Sequence, residues 1–149
     1  MLVKEVMTKD VISVTPSTTL KDLAKIINKN RINGVPVVDD VDGSLIGVIT
    51  MTDLLRILRH ICFWDEIGNR DNLQAGVFGV DIKEALLKEK DKAVVGSKMT
   101  KIVHTVEEDD SVEEVLMMMC HYNIHTIPVV KNRKIIGIIG ATDIVNYWI

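Results

Sequence analysis

Residues Leu45 to Leu55 read L-I-G-V-I-T-M-T-D-L-L: an apolar strand through Gly47, a polar Thr50-Met51-Thr52-Asp53, then the start of a helix. A strand that hands over to a helix leaves backbone N–H groups without partners, and two hydroxyls and one carboxylate stand beside them. Thr50 and Thr52 can donate to phosphate or sugar oxygens, whereas Asp53 can only accept, which suits the vicinal hydroxyls of a ribose. The simpler role for Asp53 is a helix cap. What raises the stretch above a cap is that it recurs. Residues 135 to 145 read I-I-G-I-I-G-A-T-D-I-V, with the glycine at Gly137 and the Thr-Asp pair at Thr142-Asp143. The chain is an internal duplication.

Working outward, the repeat has a register. Met7-Thr8 and Met99-Thr100 stand 92 residues apart, and the offset holds through the next thirty or so positions. Val3 to Thr8 reads as a short helical turn that returns at Val95 to Thr100. Val11 to Val14 is short and β-branched, as an edge strand should be, and Thr15-Pro16-Ser17 stops it, with Ser17 a candidate N-cap. A helix follows over Thr18 to Asn30, with Leu20, Leu23, Ala24 and Ile27 on one face. Its partner, Ser111 to Tyr122, repeats the pattern with Val112, Val115, Leu116 and Met119, and Asp110 with Glu113 reads as a capping box. The runs Ile32 to Val38 (I-N-G-V-P-V-V) and Ile124 to Val130 (I-H-T-I-P-V-V) are strands. Pro36 and Pro128 place them at an edge or a strand start and leave backbone free for other use. Asp42-Gly43 marks a hairpin tip. The second hairpin, Lys131-Asn132-Arg133-Lys134, is two residues shorter and drops the offset to 90.

Composition narrows the function classes. The chain has 149 residues, 47% hydrophobic and 26% charged, with a net charge of −3. That is a folded chain burying roughly 68 to 70% of its unfolded surface, and it offers no broad basic face to nucleic acid or anionic lipid. No apolar run approaches the roughly 18 residues of a membrane span, and Met1-Leu2-Val3-Lys4-Glu5 does not read as a signal segment. A cytoplasmic protein is expected. Cys62 and Cys120 are too few for a disulfide framework and lack metal-type spacing, so free, buried thiols are expected. His60, Cys62, Asp65 and Glu66 match no standard metal pattern. Cys120 and His121 are neighbours on a helix and point apart, and no Gly-rich phosphate loop is present. Met117 to Met119 read as core filler. No catalytic constellation emerges, and the chain reads as a non-enzyme.

Each half thus runs short helix, short strand, amphipathic helix, [VI]-P-V-V strand, turn and G-[VI]-I-x-x-T-D helix. This order resembles the CBS domain, and the whole chain resembles a tandem CBS pair over about residues 3 to 58 and 95 to 148. The resemblance implies an α+β fold of two β-α-β-β-α repeats, related by a pseudo-twofold axis and packed through their sheets. Domain bounds follow as repeat 1 over 1–58, a linker with helices over 59–94 and repeat 2 over 95–149. The linker includes a polar stretch at Gly68 to Asn72 and a second amphipathic helix at Asp81 to Lys90; it is read as a connector covering a hydrophobic edge, or as a lid or partner-binding insert.

The resemblance further implies two clefts for adenosine compounds. One takes Thr50, Thr52 and Asp53, with Ile102, Val103, His125, Thr126 and Pro128 across from them; Asp53 holds the ribose hydroxyls and Thr50 lies near the phosphate. The mirror cleft takes Val11, Ile12, Asn33, Gly34, Pro36, Thr142 and Asp143. It is the weaker, because Gly140 stands where Thr50 does. Members binding phosphorylated nucleotides often carry His-Arg before the V-P strand, and here those positions are Asn33-Gly34 and His125-Thr126. The expected function is a regulatory module for AMP, ADP, ATP or S-adenosylmethionine, in a homodimer with a further protein partner to act on. The alternative is a ligand-free dimerisation or scaffold module.

Overall fold

The structure is a computed structural model and describes residues 1–64, 93–101 and 103–149, with only the backbone of 61–64. The Asp81 to Lys90 helix, the Gly68 to Asn72 loop and Ile102 lie outside the described residues. The elements are α1 (Val3–Val6), α2 (Leu20–Asn30), β1 (Gly34–Val38), β2 (Leu45–Thr50), α3 (Met51–Trp64), a 3-10 turn (Val95–Ser97), α4 (Val112–Tyr122), β3 (Thr126–Lys131), β4 (Lys134–Gly140) and α5 (Ala141–Trp148). β1 and β2 form one antiparallel sheet and β3 and β4 the other, each with a bulge at the same place, Val37/Val38 and Val129/Val130. The hairpin tips differ as the deletion requires: Gly43 supplies a positive φ of 69° in the longer turn, and Asn132 and Arg133 (51° and 65°) supply it in the shorter. Among the described residues no helix is long and apolar enough to cross a membrane.

Two cores, one per sheet, show an exchange that the order of elements conceals. Leu23, Ile27, Val35, Val37 and Ile49 pack with Val95, which comes from the second half. Val106, Val115, Ile127, Val129 and Ile139 pack with Val3, which comes from the first. Backbone pairing follows the same exchange. β2 is extended by Thr100 through Val48, and β4 by Thr8 through Ile138. On the far edges Val14 joins β1 through Val37 and Val106 joins β3 through Val129, both in parallel. The segments 8–14 and 100–106 therefore carry the chain from one sheet to the other, which ties the repeats together. Glycine makes the exchange possible. A Cβ on Gly47 would lie 2.6 Å from Met99 Sδ, and one on Gly137 would collide with Met7 Sδ.

Several local expectations give way to these contacts. The Val11 to Val14 strand reduces to the single Val14 bridge, because the segment is spent on the crossing. The N-cap of α2 is Thr19, whose Oγ1 accepts from the Asp22 N–H at 3.1 Å, not Ser17. The helix starts late because the Leu20 N–H donates to Ala93 O and the Val95 N–H to Thr18 O. At α4 the capping box is Ser111 with Glu114, one residue beyond the Asp110/Glu113 reading. Ala24 and Leu116 are exposed, so the buried faces are narrower than the periodicity implied. Cys120 is exposed, not buried, and of the methionines Met119 is buried while Met117 is 71% exposed. The prolines do lie on edges, yet the backbone there is not free. Pro36 O accepts from the Val14 N–H and Pro128 O from the Val106 N–H, at 3.1 and 3.2 Å.

Candidate functional site

The turn from β2 into α3 is closed by its own side chains. Thr50 is the cap: its Oγ1 accepts from the Asp53 N–H at 3.2 Å, while the Thr50 N–H and hydroxyl both donate to Asp53 Oδ2 at 2.9 Å. This is a capping box with an aspartate in the acidic place, so Asp53 does serve the helix start, though from its third position. One carboxylate oxygen is spent there. The other, Oδ1, faces Arg56 Nη1 at 3.8 Å. The Met51 N–H is taken by Asn33 O at 2.7 Å, which ties the helix start to the loop before β1.

In front of this box lies a cleft of about 640 Å³. Its lining comes from both repeats: Thr50, Met51, Thr52, Asp53 and Arg56 from the first, and Val103, His104, Tyr122, Ile124, His125 and Thr126 from the second. Val48 from β2 adds apolar surface, and His104 stacks on Tyr122 with ring centroids 3.9 Å apart and planes 23° from parallel. The first repeat thus brings a carboxylate oxygen, hydroxyls and a guanidinium to the cleft, and the second brings aromatic and apolar groups together with Asn123, His125 and Thr126.

Of the residues expected in this cleft, Thr50, Thr52, Asp53, Val103, His125 and Thr126 come together. Pro128 is buried in β3 and does not line it. Asn33, expected in the mirror cleft, lines this one. Val11 is half-buried and Ile12 37% exposed on the crossing segment, while Gly34 and Pro36 are buried in β1. Thr142 is exposed, and Asp143 Oδ2 accepts from the Gly140 N–H at 2.7 Å. Arg56, His104, Tyr122 and Asn123 were not anticipated. Arg56 had a signal in the sequence, being one helical turn beyond Asp53. The stacked pair had none, since its two rings come from separate elements. By the repeat register Ile12 and Asn30 stand at the places of His104 and Tyr122, and Asn146 at that of Arg56, so the duplication did not preserve this chemistry on both sides.

The CBS domain family model matches residues 3–60 and again residues 92–149. The chain belongs to the CBS domain family. As a CBS pair it has solved counterparts. The CBS domain pair of protein MJ0100, in complex with 5′-methylthioadenosine and S-adenosylmethionine, is 30% identical, with a TM-score of 0.70 over 99% of each chain. CBSX2 in complex with AMP is 25% identical, with a TM-score of 0.72 over 99% of this chain and 95% of that one. Among curated proteins, a CBS domain-containing protein of Dictyostelium discoideum is 33% identical over 99% of this chain and 91% of its own. The L-aspartate semialdehyde sulfurtransferase of Methanocaldococcus jannaschii is 29% identical over 96% of this chain, which spans 22% of that enzyme's length. Uncharacterized protein MJ1225 of the same organism is matched over 47% of its length.

Proposed function

We propose that this CBS pair is a non-enzymatic regulatory module that binds an adenosine-containing ligand in the cleft before α3. The observation that carries the reading is a single cleft lined from both repeats. A flat base fits against the Val103, Ile124 and His104–Tyr122 side, while a sugar meets Asp53 Oδ1, the carboxylate oxygen that the helix cap leaves available. The bound AMP of CBSX2 and the bound adenosine compounds of the MJ0100 pair support the same ligand class. A ligand held by both repeats favours one relative arrangement of them by its difference in affinity, and that difference is the regulatory signal.

Thermal shift of the purified chain against AMP, ADP, ATP, S-adenosylmethionine and guanosine analogues tests this. A ligand at 100 times its dissociation constant adds about 2.7 kcal/mol, or roughly 5 to 10 °C for a chain of this size. A shift with adenosine compounds alone is expected. No shift with any of them rejects the sensing role.

Exposed apolar side chains on three helices, Leu55 on α3, Leu116 and Met117 on α4 and Val145 on α5, favour association of two copies beside ligand binding. Light scattering on a sizing column gives the mass directly, and a monomer across the micromolar range removes that part of the reading.

A further inference from the structure

Asp53 and Arg56 stand one turn apart on α3, and the cleft touches both. The carboxylate side chain is 15% exposed and the guanidinium 71%, so the acid lies inside and the base at the mouth. At 3.8 Å their approach is an ion pair too long to be a hydrogen bond. Among the described residues no hydrogen bond engages the Arg56 guanidinium, and its planar fork of donors is available. Thr52, four residues earlier, shares its face of the helix and lines the same cleft. Thr50 differs: its hydroxyl gives its proton to Asp53 Oδ2 and accepts from the Asp53 N–H, so it has no proton left for a phosphate. Phosphate donors at this wall are therefore Thr52 and Arg56.

We propose that the cleft selects an adenosine 5′-phosphate, and that Arg56 is the specificity-determining residue that meets the phosphate. The inference rests on the adenosine reading above and deepens it. A ribose on Asp53 Oδ1 sits at the point Arg56 already faces, and a guanidinium matches phosphate oxygens in geometry as well as charge. Among the described lining residues Asp53 is the only acid, so repulsion of a phosphate is confined to a carboxylate whose Oδ2 already accepts two hydrogen bonds. A sulfonium ligand instead brings a positive charge towards Arg56, and a neutral thioether leaves the guanidinium unanswered. The arginine absent from the strand entrances at Gly34 and Thr126 is thus supplied from a helix. In the second repeat Asn146 takes this place, so the phosphate preference belongs to one side of the module.

Calorimetric titration of the full chain with AMP, adenosine, 5′-methylthioadenosine and S-adenosylmethionine tests the assignment, in wild type and in Arg56→Gln. AMP is expected to bind about tenfold or more tighter than adenosine, the scale of one charge-assisted hydrogen bond. Arg56→Gln should bring the ratio of AMP to adenosine affinity close to one, and Arg56→Lys should retain part of the preference. The exposure of the side chain keeps both variants folded. An unchanged AMP-to-adenosine ratio in Arg56→Gln overturns the assignment while the adenosine reading stands, and so does S-adenosylmethionine or 5′-methylthioadenosine binding wild type as tightly as AMP. Binding by none of the four overturns the adenosine reading and this inference together.

Discussion

Asp53 divides its two oxygens between the helix start and the cleft, so substitutions there act on stability and binding at once. Asp53→Ala removes the acceptor for the Thr50 N–H and should cost about 0.5 to 2 kcal/mol as a lost cap, together with the adenosine ligand. Asp53→Asn separates the two. An amide oxygen can still accept from the Thr50 N–H, so the melting temperature should stay close to wild type while ligand affinity falls by about tenfold. Parallel thermal melts and ligand titrations check both, and full affinity in the asparagine variant would remove Asp53 from the site. Gly47 is a second residue with a single demand on it. In Gly47→Ala the new Cβ meets Met99 Sδ at 2.6 Å and Thr100 O at 3.0 Å, and Thr100 O is the acceptor of the Val48 N–H. Overpacking of that kind costs about 1 to 3 kcal/mol, and the damage should reach the cleft because Thr100 lines it. Chemical denaturation measures the first effect and ligand titration the second.

At the scale of elements, α1 is held by the far repeat. The Val3 N–H donates to Asp110 O and the Lys4 N–H to Glu108 O, and Val3 is fully buried in the second core. Val3→Ala should cost about 2 kcal/mol, from two methyl groups and the space they leave, and hydrogen exchange should quicken in β3 and β4 before it does in β1 and β2. The anchor is also sensitive to pH. Lys4 Nζ lies 2.6 Å from Asp109 Oδ1. The hydrogen bond from Lys4 and then its charge hold the Asp109 carboxyl below its ordinary value near 3.8, and the hydrogen bond to Asp109 raises Lys4 above 10.5. A carboxyl lowered in the folded state stabilises above its unfolded pKa and ceases to as pH falls through the folded value. A raised lysine stabilises below its unfolded pKa and ceases to as pH rises through the folded one. The contribution of the α1 anchor is therefore level between about pH 4 and pH 10 and declines outside that range. Asp22, lowered by Thr19 and Lys25, and Asp42, lowered by Ser44, add to the acid side. In Lys4→Met the acid limb of a melting-temperature profile should flatten.

For the whole molecule the exchange of segments means that neither half carries a complete core. Residues 1–64 lack Val95, and residues 93–149 lack Val3, both fully buried. Each fragment alone should show a broad, weakly cooperative melt by circular dichroism, and an equimolar mixture should recover a single transition. Independent cooperative folding of either fragment would contradict the exchange. The same architecture accounts for a cleft with walls from both repeats. Val103 and His104, on the crossing at 100–106, line the cleft with residues of α3, so the cleft lining and the inter-repeat contacts are made by one set of elements.

The sequence by itself determined what depends on neighbours along the chain. The offset of 92, the hairpin tips at Asp42-Gly43 and Lys131 to Lys134, the amphipathic helices of the two repeats and a capped helix start at Asp53 follow from local periodicity and turn chemistry, and with them the family; that Thr50 is the cap and Asp53 its partner in a box came from the folded chain. Contacts far apart in sequence decided the rest. The cap of α2 moved to Thr19 because Ala93 and Val95 pair with the backbone before it, and Val11 to Val14 gave up most of a strand to the crossing. His104 reached Tyr122 by the same crossing, and Asn33 joined the Asp53 cleft through Met51. Periodicity fixes which face of an element is buried; only the folded chain fixes what lies against that face, and here it lies in the other repeat.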